Sequence, residues 1–355
     1  MKARNKHLLQ CLACLTIALA YFFLSYTPLQ TELHLRPEWT CDILKTPEAA
    51  MQEALLPFRL GNKGGYFTHS GKVVTIADIP YKATFSKDFY ALYSEDSKDI
   101  QVSRPNGSNA FMIYSPGFPF IQEDRVFVFA PGGSTIAFVN NSTGSVESEW
   151  EYAAPITAFN SSPKGSVVGY ADGQLTIFDQ FGKKKNELAP GGSDYPVILG
   201  ADISQEGNYF ACVSGLDPQR FVLYRDEGNY TKIIYHEFLK VNLTRQTKVY
   251  FSKNDRYVYF DSIDALGIVD TESGKAAHIP LSGTILDIQE SPVDKSVFVL
   301  SRYQQKYYTI TILEDCVKKI GQFSFEADAA FILADGNTLF VGKDNKISRL
   351  SISKS

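Results

Sequence analysis

Residues 202–228 read DISQEGNYFACVSGLDPQRFVLYRDEG, and the fold turns on whether this stretch is one unit of a repeat or a site in its own right. It holds two apolar runs, each preceded by a glycine-containing turn, with Ser214–Arg220 between them. A repeat must show the same order elsewhere: an apolar residue, a small or polar turn, a run of β-formers, a second turn and a second run. That order recurs seven times, in units that begin at Ala83, Pro119, Thr157, Asp202, Val249, Leu286 and Ala329.

Taking Tyr90, Phe127, Val167, Phe210, Val258, Phe298 and Leu339 as equivalent, the spacing runs from 37 residues (Tyr90 to Phe127) to 48 (Phe210 to Val258). A period of this length predicts four-stranded propeller blades. Each unit supplies three strands and the link to the next supplies a fourth, at Phe111–Tyr114, Glu149–Tyr152, Lys184–Leu188, Ile233–Phe238, Ala276–Ile279 and Cys316–Ile320. The seventh unit has no such link, and KVVTI, Lys72–Ile76, is the strand expected to complete it and close the ring. The expectation is an all-β, seven-bladed β-propeller of four-stranded blades, with an N-terminal strand closing the last blade.

Composition agrees with a β-rich chain. Aromatics make up 13 % of the 355 residues, with 20 Tyr and 25 Phe against 3 Met, a balance that favours pleated, half-buried surfaces. The formal net charge of −4 provides no basic field for phosphate backbones, so nucleic acid is not an expected partner. The Lys183–Lys185 run reads as the solvated end of a hairpin.

Lys2, Arg4 and Lys6 precede an uncharged run of 19 residues, Leu8 to Tyr26, just long enough to cross a hydrocarbon core as a helix. Residues 1–26 are therefore expected as an N-terminal transmembrane signal-anchor, with a cleaved signal ending near Ala20 and a lipidated Cys14 as alternatives. Residues 27–63, rich in Pro, read as a tether with a short helix at Thr46–Leu56, and 64–355 as the propeller. That arrangement puts the propeller outside the cytoplasmic membrane, on the periplasmic side.

The strings FSKD…YALYS…DIQV…NG, ISQEGNYFACVSG and FSKNDRYVYFDS…LGIVDTESGK resemble the WD-like repeats of TolB-type periplasmic propellers and of propeller domains attached to some serine peptidases. The turns Asp179–Gly182, Asp270–Gly274 and Asn140–Gly144 are similar to the strand-turn signature of PQQ-like propellers. Only Trp39 and Trp150 are present, too few for the tryptophan ring of quinoproteins, so the resemblance implies no cofactor. The turn residues also have a physical task, since glycine takes the positive φ of a tight turn and Asn or Asp bonds its amides.

Candidate chemistry is sparse. His69, His236 and His278 are widely separated and no GxSxG accompanies them, so no catalytic residue is assigned. Cys41, Cys212 and Cys316 stand apart without a CxxC pair, which leaves no zinc site; Cys41 is the one that could pair. Glu95, Asp96 and Asp99 lack the order of a calcium loop, so no metal site is expected. APGGS occurs twice, at Ala130 and Ala189, without the lysine of a phosphate loop. Six Asn-x-Ser/Thr sequons, at Asn106, Asn140, Asn141, Asn160, Asn229 and Asn242, fall in turn-rich sequence.

The insert Leu216–Arg220 departs from the sibling turns, and a longer rim loop is where binding residues collect. Leu216, Asp217, Gln219 and Arg220 are the candidate binding residues. The function expected is a membrane-anchored, non-enzymatic scaffold for a protein, peptide or glycan in the cell envelope. The alternatives are a lyase or hydrolase with its site in the channel, and an accessory or sensor of an envelope-assembly machine.

Overall fold

The computed structural model describes residues 14–21, 33–45, 47, 53–94, 98–240, 242–291, 293 and 295–354. The chain divides into two compact units, 37–351 and 1–36 with 352–355. In the smaller unit residues 14–21 are helical, and residues 33–36 and 352–354 are extended strand. Among the described residues no helix is long and apolar enough to cross a membrane. This corrects the expected transmembrane helix; residues 1–13 and 22–32, on which the rest of that expectation falls, lie outside the described residues.

The larger unit is an eight-bladed β-propeller, which corrects the expected count of seven. Blade 1 has three strands, Leu55–Leu60, Lys63–Thr68 and Val73–Asp78. Blades 2 to 7 have four each and begin with the inner strands Lys82–Phe85, Phe118–Gln122, Ile156–Ser162, Ile198–Ile203, Val249–Phe251 and Thr284–Glu290. Blade 8 runs Ala330–Asp335, Thr338–Lys343 and Lys346–Lys354, and its fourth, outer strand is Leu33–Asp42. The inner strand of blade 1 adjoins those of blades 2 and 8, which closes the ring.

Blades 2 to 8 are the seven units of the repeat, and their outer strands include every residue range expected for them except the ends of three: Tyr114 and Tyr152 lie beyond theirs, and the blade 7 outer strand starts at Lys318. The closing strand is Leu33–Asp42 in place of Lys72–Ile76, whose residues from Val73 onward belong to blade 1. Prolines concealed both new strands. Pro37 and Pro57 read as breakers, yet each sits in a strand paired on one side only, where a missing N–H costs no ladder bond. Gly64 and Gly65 read as loop, although they lie inside a strand; a Cβ on Gly65 would stand 1.9 Å from the Thr75 carbonyl oxygen. Of the expected short helix, residues 46 and 48–52 lie outside the described residues, while Leu55 and Leu56 begin a strand.

Blade 1 is also inverted. Gly61, in its first turn, packs beside Ala329 at the start of the blade 8 inner strand. His69, in its second turn, bonds Asp335 at the end of that strand, Nε2 to Oδ2 at 2.6 Å. The blade 1 inner strand therefore runs antiparallel to its neighbour. An odd number of strands demands this, because the chain must leave blade 1 at the end of the ring where blade 2 begins.

Apolar sandwiches between blades hold the ring, such as Ala211, Val213, Phe221 and Leu223 of blade 5 against Val258, Phe260 and Val269 of blade 6. Phe221 stacks on Phe260 with ring centroids 3.9 Å apart. Polar staples join inner strands as well. The Ile121 amide donates to Thr84 Oγ1 (3.0 Å), the Ser161 amide to Gln122 Oε1 (3.0 Å), and the Lys253 amide to Glu290 Oε2 (2.8 Å).

Candidate functional site

The connections that start each of blades 2 to 8 open on the same end of the ring as the middle hairpin turns of those blades, because inner and third strands run in one direction. At this end lies a cavity of about 560 Å³ over the inner strands of blades 2 to 6. Its wall includes Phe118, Phe120, Phe129 and Phe159, with Thr157, Gln246 and Thr247 as polar neighbours and Lys82 and Lys248 as cations.

The aromatic wall is pre-organised. Phe159 meets Phe120 edge-on at 5.4 Å, Phe129 at 5.1 Å and Phe127 at 4.9 Å, each within the range where ring quadrupoles attract. The Lys82 ammonium lies 5.0 Å from the Phe118 ring centroid and 5.3 Å from that of Tyr81; among the described residues it has no carboxylate partner. Lys248 Nζ stands 3.7 Å from Asp287 Oδ1.

The opposite wall is fixed by close backbone approach. Gly200 admits the Thr247 backbone, since a Cβ there would lie 2.5 Å from both the carbonyl oxygen and Oγ1 of Thr247. The Thr247 amide donates to Leu199 O at 2.9 Å, whereas its buried Oγ1 has no bond among the described residues. Gln246 Nε2 donates to Thr157 O at 2.8 Å, tying blade 6's leading segment to the blade 4 inner strand.

The four sequence-predicted residues lie on this same end but divide by role. Gln219 is fully buried. Its Nε2 donates to Gly215 O (2.8 Å) and Leu243 O (3.0 Å), and its Oε1 accepts from the Leu243 amide (2.8 Å). It thus staples its loop to the 239–248 segment that carries Gln246, Thr247 and Lys248 into the cavity wall. Arg220 donates from Nη2 to Pro190 O, and its buried Nε has no bond among the described residues. Asp217 is exposed and engages through its backbone: its carbonyl accepts from the Asp194 amide (2.9 Å) and its amide donates to Ser193 Oγ (3.2 Å). The Leu216 amide donates to Tyr195 O at 3.1 Å. The second APGGS therefore packs on the insert, and the first places Gly133 in the cavity wall, because both connection types open on this end.

Sequence reasoning missed the aromatic wall. Phe118, Phe120 and Phe159 belong to inner strands whose apolar alternation resembles any core strand, and only ring closure turns one face toward the channel.

Asp202, the first residue of the deciding stretch, is almost wholly buried in the blade 5 inner strand. Burial pushes its carboxyl up to about 7, against the opposing pull of the amides of Phe251 and Ile203, which donate to its two oxygens at 2.6 and 2.8 Å. Burial likewise raises Glu290, which accepts the Lys253 amide, and Asp255, which accepts the amides of Gln205 and Glu206, in each case from the preceding blade. These perturbed carboxyls are spent on joining blades.

The histidines point to separate places. His69 pairs with Asp335, His278 Nε2 with Glu237 Oε1 at 2.8 Å on outer strands, and His236 is exposed beside Phe238. Cys14, Cys41, Cys212 and Cys316 are free thiols; burial raises Cys41 and Cys316 and pushes Cys212 up to about 12. Among the described residues no cluster of three His, Cys, Asp or Glu could hold a metal. Glu95 and Asp96 lie outside the described residues.

Comparison with known proteins places this geometry in a family. A model for a β-propeller protein family matches residues 1–355. An uncharacterized protein of Treponema pallidum (strain Nichols) is 30 % identical over 346 residues, covering 94 % of this chain and 91 % of the relative. Among solved structures, BamB from Moraxella catarrhalis superposes with a TM-score of 0.61 at 12 % identity, over 90 % of this chain and all of that one. The β-propeller domain of Myceliophteria thermophila Cps50 (Swd1) gives 0.52 at 11 %, over 75 % and 94 %. At these identities the two structures share the fold alone. The chain belongs to this family of β-propeller proteins.

Proposed function

We propose that this propeller is a non-enzymatic interaction scaffold, of the WD-like repeat type, that holds a protein or peptide partner at the channel mouth. The observation that carries the reading is the pre-formed wall of Phe118, Phe120, Phe129 and Phe159 beside the Lys82 ammonium. An apolar wall with few polar groups and a flanking cation suits an extended segment that presents an aromatic or aliphatic anchor and a carboxylate. The basic start and uncharged run of the N-terminus support an extracytoplasmic location, and the structural likeness to BamB is in keeping with an accessory role in the envelope.

A catalytic reading draws less support, because the perturbed carboxyls Asp202, Glu290 and Asp255 each bond backbone amides of a neighbouring blade. The test is affinity purification from cells after cross-linking, with native chain beside Lys82→Glu and Phe120→Ala. One partner recovered with native chain and reduced at least tenfold with both variants is the expected result. Equal recovery with all three, or turnover of a glycan or peptide by the purified chain, would overturn the reading.

A further inference from the structure

Among the described residues blade 1 lacks the fourth strand that each of the other seven sheets carries. Its third strand, Val73–Asp78, is consequently a sheet edge whose outer row of backbone groups has no ladder partner among the described residues. The Ile79 amide donates inward to Asn62 O at 2.8 Å, and Asp78 pairs with Lys63, Ala77 with Gly64 and Ile76 with Gly65. Antiparallel alternation turns the amides of Ala77 and Thr75 inward too and that of Ile76 outward, and a register shift opposite Phe67 takes Val74 out of the alternation.

No charge or proline in residues 73–77 blunts this edge. Six of the seven other outer strands carry Lys, Arg, Glu or Pro within them, as in VESEWE, KKNEL and AAHIP, the usual protection against edge pairing. The run Val73–Ala77 has neither a charge nor a proline. Its charges stand at the two ends instead: Lys72 before it and Asp78 closing it, both exposed.

That order is complementary to itself. A strand laid antiparallel on this edge brings its first residues beside Asp78 and its last beside Lys72, so it should begin with a cation and end with an acid. The sequence Lys72-Val-Val-Thr-Ile-Ala-Asp78 does both. The geometry points to Val73–Asp78 as an isologous docking edge for a second copy of this chain, in which two three-stranded blades join into one six-stranded sheet about a two-fold axis near Thr75 and Ile76. Each Lys72 then faces Asp78 of the other copy, where Asp78 already shares Lys63 at 2.7 Å. Two edges this short bury less than the roughly 1,200 Å² of a stable standard interface, so the dimer is reversible and concentration-dependent.

The test uses the full chain in analytical ultracentrifugation, with amide hydrogen exchange at Ile76. The expected result is a monomer at about 1 µM and a dimer near 100 µM, with the Ile76 amide exchanging rapidly in the monomer and slowed at least tenfold in the dimer. Lys72→Asp alone and Asp78→Lys alone should each stay monomeric, by repulsion of like charges. An equimolar mixture of the two variants should dimerise again, a rescue that misfolding cannot mimic. An Ile76 amide already protected in the monomer would show the edge filled by the chain itself and overturn the proposal. So would a chain that remains monomeric throughout while a foreign strand protects this amide, or a dimer indifferent to both substitutions.

Discussion

Blade 5 and blade 1 meet the same demand, a wedge of sheet that seals against two neighbours, by different means. Blade 5 presents four strands and locks to blade 6 through Asp202 and the Phe221–Phe260 stack. Blade 1 presents three strands run in reverse, and seals with Phe67 edge-on to Phe340 of blade 8 at 5.1 Å and the Tyr66 hydroxyl at the first turn of blade 2. The difference teaches that the ring constrains inner strands and facing layers, whereas strand number and direction remain free as long as the chain enters and leaves at the right ends.

If blade 1 is a full member of the ring, Phe67→Ala should cost about 3–5 kcal/mol in urea unfolding, as Phe221→Ala should in blade 5. A loss below about 1 kcal/mol for Phe67→Ala alone would reduce blade 1 to an appendage. Asp202 supplies the pH arm of the comparison. The native chain keeps a proton there up to about 7 that an unfolded carboxyl releases in the ordinary range near 4. That contribution to stability is full below pH 4 and is lost as pH rises toward 7, by up to about 4 kcal/mol. Melting curves across this window should show a slope that Asp202→Asn flattens; an unchanged slope would exclude Asp202 as its source. Asp202→Ala should itself cost about 1–3 kcal/mol, since the Phe251 amide loses its acceptor.

Within the insert, Gln219→Ala should cost about 1–3 kcal/mol for its buried donors and acceptors, while Asp217→Ala should change stability by less than about 0.5 kcal/mol. Thermal unfolding of the pair distinguishes a staple from a solvated tip. In blade 1, Tyr66→Phe should cost about 0.5–1.5 kcal/mol, because its hydroxyl proton is shared between Ser86 O at 2.8 Å and Phe89 O at 2.9 Å.

The same two blades show how much was legible. Blade 5 could be read from DISQEGNYFACVSG, because its turn at Gly207 and its buried run from Phe210 to Val213 recur at each period. Blade 1 could not, because Pro57 and the Gly64-Gly65 pair mimic a linker, and the tolerance of the proline depends on which side of its strand stays unpaired. The insert departs from its siblings, and Gln219, expected as a binding residue from its place in that longer loop, bonds three backbone groups through its side-chain amide and so positions the loop. The mouth escaped notice for a related reason. Phe120 and Phe159 are 39 residues apart in sequence and become one wall only when blades 3 and 4 stand side by side.

The scaffold reading is tested most directly by site-specific photo-cross-linking in cells, with a benzophenone side chain placed at Lys82 in the mouth or at exposed Phe181 on the opposite face. The account predicts one discrete adduct from the mouth position, abolished by Phe120→Ala in the same chain, and none of that mass from Phe181. Adducts of equal yield from both faces, or from Phe181 alone, would contradict it.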